Sequence, residues 1–193
     1  DPMFVRELSK TAIKPLRIAF DHLGVKKPYE QAVRYSADAG LTNLSNYMLY
    51  NFHDSPTDLF ERMRLNVSLN EELGIRIFSF PMRYQPVTRP DRGHIGPNWN
   101  SYFLRSMQMI LQATHGIVSG APRYFRTAFG DTYEEFEEIL IRPHHFIFNR
   151  YWYEQFDGRP ELEEYQSVMR RFSEGDRAEL LEFLCGRDKS EYE

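Results

Sequence analysis

The sequence predicts an α/β protein with a parallel sheet, because strand-like and helix-like segments alternate along its first 100 residues. In residues 16–22, Leu16, Ile18 and Phe20 alternate with more polar residues, which is the period of a strand. Further strands are predicted over 43–52 and 75–82, with one helix between successive strands. A repeat of roughly 30 residues fits either a (β/α) barrel or a doubly wound sheet.

Two helices are marked by their ends. The first is predicted over 27–39, with Pro28 in its first turn and Gly40 beyond its last. The second begins after Ser55, whose hydroxyl can accept from a free N–H group of the first turn, and it ends at Gly74. Both helices therefore connect predicted strands.

After residue 100 the pattern changes to a mostly helical extension. Helices are predicted over 102–115, from a capping box at 131–134 through Leu140, and near 160–172 and 176–184. The segment FIFNRYW, residues 146–152, favours a strand.

Composition restricts the cellular setting. The 193 residues contain no apolar run long enough to cross a bilayer, and the first ten lack the pattern of a signal peptide. The single cysteine, Cys185, excludes an intrachain disulfide. These features predict a cytoplasmic protein that contacts no membrane, and the opening Asp1 predicts a chain that starts inside its gene.

Charge divides the chain unevenly. Residues 1–130 carry 16 Lys and Arg against 11 Asp and Glu, a net +5, whereas residues 131–193 carry 8 against 17, a net −9. One interpretation is an acidic, solvated helical tail on a mildly basic core. The other is that the basic part attracts an anionic partner such as RNA or a phosphate ester.

A sheet of three parallel strands is incomplete. Parallel sheets have both faces covered, and each open edge exposes unpaired N–H and C=O groups. We therefore expect additional protein to complete the sheet, and the exposed edges also allow oligomer formation.

Three segments carry a resemblance to a known family. YMLYNFHDSPTDLFERM (47–63), IFSFPMRY (77–84) and ATHGIVSG (113–120) together resemble an uncharacterised subgroup of radical S-adenosylmethionine (SAM) proteins. The strand in 16–22 resembles the preceding strand of the same barrel. The resemblance covers roughly residues 14–150.

The resemblance implies a specific fold. Residues 1–100 would be the C-terminal half of a radical SAM-type barrel, a partial (β/α) barrel of three parallel strands, and residues 101–193 a helical C-terminal extension. The parent protein would be an enzyme that uses SAM and a [4Fe–4S] cluster to generate a 5′-deoxyadenosyl radical.

One departure from the family decides what this chain can do alone. Radical SAM enzymes hold their cluster with three closely spaced cysteines, and iron–sulfur clusters need thiolate ligands. A chain with one cysteine cannot build that site, so we expect it to be inactive alone and to bind neither cofactor nor metal. It is either a truncated piece of a longer protein, whose N-terminal barrel half lies in the same gene, or a natural half-barrel that pairs with a separate cluster-bearing chain.

Candidate site residues follow from the rule that barrel sites lie at the carboxyl ends of the strands. The resemblance places cofactor contacts at six residues: Arg17, Asp21, Tyr47, Asn51, Ser79 and Arg83. Substrate contacts are expected at four: His53, Asp54, Met82 and Tyr84.

Several of these residues have a structural alternative. Asp54 is equally consistent with a turn or capping residue, and His53 with a solvated loop histidine. Arg83 can hold the carboxylate of SAM or form a salt bridge at the rim. The directions of Tyr47, Asn51 and Ser79 stay open, because a register error of one residue inverts them.

Two functions follow. In the first, the chain contributes SAM- and substrate-pocket walls to radical chemistry on a small-molecule or nucleic-acid substrate. In the second, it is a non-catalytic binding or interaction module for RNA or another anionic partner.

Overall fold

A computed structural model of the chain describes residues 1–88 and 91–186 and has α/β architecture with one four-stranded sheet. The strands lie in the order in which they occur along the chain: β1 (Leu16–Arg17), β2 (Asn43–Tyr50), β3 (Arg76–Arg83) and β4 (Val118–Ser119). β1 pairs with β2 and β2 with β3 in parallel, as predicted.

The prediction of three strands is wrong by one. β4 pairs antiparallel with β3, with Ser119 opposite Phe78 and Val118 opposite Ser79. β4 is only two residues long, too short to show an alternating pattern in the sequence. The described residues form an open sheet and no closed barrel.

Ten α-helices and one 3₁₀-helix lie in the described part of the chain. They are α1 (Pro2–Ser9), the 3₁₀-helix (Leu23–Val25), α2 (Lys26–Asp38), α3 (Pro56–Leu73), α4 (Ser101–Ala113), α5 (Pro122–Phe129), α6 (Tyr133–Ile141), α7 (His144–Phe148), α8 (Arg150–Gln155), α9 (Arg159–Met169) and α10 (Glu174–Gly186). None of them is both long and apolar enough to cross a membrane.

The predicted ends of α3 are confirmed. Ser55 Oγ accepts from the N–H of Asp58, and Asp58 Oδ2 accepts from the N–H of Ser55, which completes a reciprocal capping box. Gly74 ends the helix with φ of 62°, a conformation that glycine adopts without steric cost. Local sequence therefore sets where α3 begins and ends.

The two faces of the sheet differ in what covers them. Alternate residues of a strand point to opposite faces, so Leu44, Asn46 and Met48 share one face of β2, and all three are buried. We call this the covered face, because α3 packs on β2 and β3 and α2 packs on α3. Tyr47, on the opposite face, remains 41% exposed.

The helical extension packs directly on α3. The ring of Phe60 lies 5.7 Å from that of Phe125 and 5.5 Å from that of Phe136. One buried apolar cluster thus contains residues from both sides of residue 100. The division into 1–100 and 101–193 stays a prediction, and residues 187–193 lie outside the described part.

Two local predictions are corrected. Residues 146–152 form parts of α7 and α8 and not a strand, because Phe146 and Ile147 are buried in a helical layer where α7 packs on α4. β1 is shorter than the predicted 16–22, although Ile18 still donates its N–H to the carbonyl of Ser45.

Candidate functional site

The face of the sheet opposite the helices carries exposed aromatic, apolar and basic side chains. We call it the open face and define it by the residues on the uncovered side of β1, β2 and β3: Arg17, Asn43, Ser45, Tyr47, Leu49, Arg76, Phe78, Phe80 and Met82. Met82 is 50% exposed, and Phe78 and Phe80 are half-buried. The described residues therefore leave much of this apolar surface in contact with solvent.

Three aromatic rings form a row across the open face. The ring of Tyr47 lies 5.6 Å from that of Phe80, and the ring of Phe80 lies 5.5 Å from that of Phe78. A guanidinium group lies at each end of the row, with that of Arg17 5.3 Å from the Tyr47 ring and that of Arg76 6.0 Å from the Phe78 ring. Arg17 also donates to the Tyr47 hydroxyl at 2.9 Å.

Ser79 lies on the covered face, away from Tyr47. Its hydroxyl accepts from Asn66 at 2.9 Å, and Asn66 accepts in turn from the hydroxyl of Tyr29. Asn46 donates to the same Tyr29 hydroxyl at 2.8 Å. Burial raises the pKa of Tyr29 well above its usual range. The four side chains form a buried network between the sheet and the helices. Ser79, predicted as a cofactor contact, is therefore not accessible to a cofactor.

Asn51, predicted as a cofactor contact, instead organises the loops after β2 and β3. It is fully buried and has φ of 69°, a left-handed conformation that asparagine tolerates better than most residues. Its amide donates to the carbonyls of Tyr84 and His94, at 3.1 and 3.0 Å, and its oxygen accepts from the N–H of Gly96. All of these contacts are within the protein, so Asn51 is a positioning residue.

Gly96 is required by that arrangement and was missed from the sequence. A Cβ atom at Gly96 would lie 2.7 Å from the carbonyl oxygen of Phe52 and 2.9 Å from backbone atoms of Asn51. Only glycine allows the two loops to approach so closely.

Asp54 forms a buried ion pair with Arg62 of α3. The Arg62 Nη2 atom lies 2.8 Å from Asp54 Oδ2, and the two side chains are 0% and 6% exposed. Burial raises the pKa of the Asp54 carboxyl, an effect opposed by the Phe52 N–H and by Arg62, and burial lowers the pKa of Arg62. Of the two interpretations of Asp54, this position supports the structural one and removes the carboxylate from direct contact with substrate.

Arg62 also joins the carboxyl ends of two neighbouring strands. Its Nη1 atom donates to the carbonyls of Phe20, Asp21 and Leu49, at 3.1, 2.9 and 2.9 Å. Sequence reasoning missed this residue, although one signal was present. Arg62 lies beside Leu59 and Met63 on the apolar stripe of the helix, where an arginine has to be paired.

Four predicted residues remain accessible at the carboxyl ends of the strands. Asp21 is exposed and accepts from the N–H of Leu49 at 3.4 Å, and His53 is exposed on the loop after β2. Arg83 is exposed and donates to the carbonyl of His94 at 3.0 Å, and Tyr84 is half-buried.

Aromatic rings cluster at this end of the sheet. The ring of Phe52 lies 4.0 Å from that of His53 and 4.6 Å from that of Tyr84, and the Tyr84 ring lies 5.3 Å from that of His94. Below them Tyr50 is buried 5.3 Å from the ring of Trp99, and burial raises its pKa to about 12. The carboxyl ends of the strands therefore expose aromatic rings and the guanidinium group of Arg83, and the rings of Tyr50 and Trp99 are buried beneath them.

The residues of this chain do not fit an iron–sulfur cluster. The described residues contain no group of three or more His, Cys, Asp or Glu side chains that would hold a metal ion, and Cys185 lies in α10. Such clusters are held by thiolates, and the sequence has one cysteine. For SAM, the exposed carboxylate of Asp21 and the exposed guanidinium of Arg83 are groups of the kind that hold a hydroxyl and a carboxylate.

No protein-family model, curated protein or solved structure matches this chain.

Proposed function

We propose that this chain forms part of a radical SAM enzyme, in which its open face lines the cavity for SAM and substrate. The single observation that carries the proposal is the contrast between the faces of a mainly parallel sheet, one packed under helices and the other apolar and exposed. Parallel sheets occur with both faces covered, and in a β/α barrel the face opposite the helices points inward.

The edges of the sheet indicate where further strands would join. At the β3 edge, β4 runs antiparallel and interrupts the parallel repeat. At the other edge, β1 pairs only with β2 among the described residues. Additional parallel strands would therefore extend the sheet from β1, and these strands would have to bring the cluster cysteines.

The roles of the site residues follow from their positions. Asp21 would contact SAM, and Arg83 at the end of β3 would hold a carboxylate. Met82, Tyr84 and His53 would contact the substrate. Tyr47 and Arg17, predicted from the sequence as SAM contacts, would contact the substrate instead, because they lie among the exposed rings of the open face. Asn51 and Arg62 would keep the strand ends in place without touching either ligand.

The complete enzyme would supply a 5′-deoxyadenosyl radical that removes a hydrogen atom from the substrate. This chain's own part is to bind and orient the ligands and to exclude water from the cavity. The iron–sulfur chemistry lies outside its residues.

The test is to join this chain to the protein that completes its sheet, reconstitute iron and sulfide anaerobically, and measure 5′-deoxyadenosine released from SAM after reduction. We expect cleavage in the complete protein and none in the 193-residue chain alone. Asp21→Asn in the complete protein should raise the KM for SAM, whereas Arg64→Gln on the exposed side of α3 should not. A completing protein without cluster cysteines, or a reconstituted cluster that leaves SAM intact, would overturn the proposal.

A further inference from the structure

The rings on the open face lie close to one another but in different planes. Tyr47 and Phe80 are 5.6 Å apart between centroids with an interplanar angle of 36°, and Phe80 and Phe78 are 5.5 Å apart with an angle of 78°, so each ring would receive a separate, unstacked base. Sheets that carry two or three exposed aromatic residues bind single-stranded nucleic acid by stacking one base on each ring. A core-forming set of rings would be fully buried, whereas Tyr47 is 41% exposed.

The charges around the row are complementary to phosphate. Arg17 and Arg76 are both exposed and lie at opposite ends of the three rings. Asp21, an exposed acidic residue after β1, accepts from the N–H of Leu49 on the same face. A polyanion with planar groups between its charges therefore matches the row better than an uncharged apolar ligand does.

We propose that the open face binds single-stranded nucleic acid, with bases stacked on Tyr47, Phe80 and Phe78 and phosphates held by Arg17 and Arg76. This inference rests on the proposed function, since it names the substrate class of the same cavity. Its test is nevertheless separate, because binding by this chain requires neither SAM nor a cluster.

The experiment measures fluorescence anisotropy of a labelled RNA of about ten nucleotides, titrated with the 193-residue chain at several salt concentrations. Release of counterions from two phosphates predicts that log Kd rises with log salt with a slope of about 1.4. The double variant Arg17→Gln/Arg76→Gln should bring that slope close to zero. Phe80→Ala should weaken binding about tenfold through loss of one stacked base.

Matched controls lie elsewhere on the chain. Arg64→Gln removes an exposed arginine from α3, and Tyr151→Ala removes an aromatic side chain that is 69% exposed on α8. Neither should change Kd more than about twofold. Circular dichroism shows whether each variant remains folded, and the arginine variants test the proposal if Phe80→Ala unfolds.

Two results would overturn the inference. One is no binding of RNA at low salt. The other is binding that the open-face variants and the controls weaken equally. Loss of this inference would leave SAM cleavage by the complete enzyme untouched, whereas RNA binding together with failed SAM cleavage would reject the enzyme and support the non-catalytic binding module.

Discussion

The covered and open faces of one sheet use similar residues for different purposes. On the covered face, Asn46 and Ser79 are buried and take part in a hydrogen-bond network with residues of α2 and α3. On the open face, Tyr47 and Phe80 come directly after them in the chain and have solvent on one side. A shift of one residue along a strand therefore separates a structural role from an accessible one.

The carboxyl ends of the strands also carry two kinds of polar residue, one buried and one exposed. Arg62 and Asn51 lie beneath the surface and hold carbonyls of neighbouring strands and loops. Arg83 and His53 lie above them and are exposed. Polar residues near the carboxyl ends of strands thus fall into a supporting layer and a layer that can meet a ligand.

The largest effect is expected from Arg62→Met, because it leaves the Asp54 carboxylate buried without its ionic partner and frees three backbone carbonyls, one in β2 and two in the segment after β1. We expect the free energy of unfolding to fall by about 3–5 kcal/mol in urea denaturation. Adding Asp54→Asn should recover part of that loss. A loss of less than about 0.5 kcal/mol, the size expected for the exposed control Arg64→Met, would show that Arg62 does not support the strand ends.

The two faces can be compared with the same substitution, because each carries a methionine: Met48 on the covered face and Met82 on the open face. Met48 is fully buried on the covered face, so Met48→Ala should reduce the free energy of unfolding by about 2–5 kcal/mol. Met82 is 50% exposed on the open face, and Met82→Ala should cost about 0.5 kcal/mol. Equal losses in thermal or urea unfolding would mean that the open face is covered in solution, and analytical ultracentrifugation would then reveal whether a second copy covers it.

Alkaline pH probes Tyr50, the buried ring below the strand ends. Its pKa is raised from 10.0 to about 12, chiefly by burial, so the folded state holds this proton more tightly than the unfolded state. The stability from this group is therefore complete below about pH 10 and is lost as the pH rises through about 12. Tyr50→Phe should remove about 2–3 kcal/mol of that decline in urea denaturation between about pH 9 and 12.

Substitutions of Asn51 should have a smaller effect than those of the buried residues Arg62, Met48 and Tyr50, and they separate backbone conformation from hydrogen bonding. Asn51→Ala loses the contacts to Tyr84, His94 and Gly96 and places alanine at φ of 69°. The free energy of unfolding should therefore fall by about 1–3 kcal/mol. Asn51→Gly keeps that conformation and should lose about 1 kcal/mol less than the alanine variant. Faster amide exchange at Gly96 in both variants would show that the loop has loosened. Unchanged exchange would contradict a positioning role for Asn51.

The sequence was most informative where structure depends on neighbouring residues. The cap at Ser55, the end of α3 at Gly74 and the parallel pairing of β1, β2 and β3 all followed from local patterns. It failed for residues 146–152, where aromatic content favours a strand and burial against α4 selects helices. It also missed β4, because two residues carry no periodicity.

The strand-end rule predicted where polar side chains gather, but it did not predict which of them are accessible. Parallel strands place Arg83 and Tyr84, at the end of β3, beside the loop after β2 that carries Phe52 and His53, as the strand-end rule requires. The same rule nominated Asn51 and Asp54, since it cannot distinguish a loop residue that points outward from one that points inward. Their true partners, Gly96 and Arg62, are 45 and 8 residues away along the chain.

By itself the sequence determined the alternation of strands and helices, the ends of α3 and the absence of thiolates for a cluster, because each depends on composition or on residues close in the chain. Only the tertiary structure decided which side of each strand faces the helices, and with it whether a polar side chain is buried support or exposed surface. The reason is that side-chain direction reverses at every residue of a strand, and the layer that covers one face comes from distant helices.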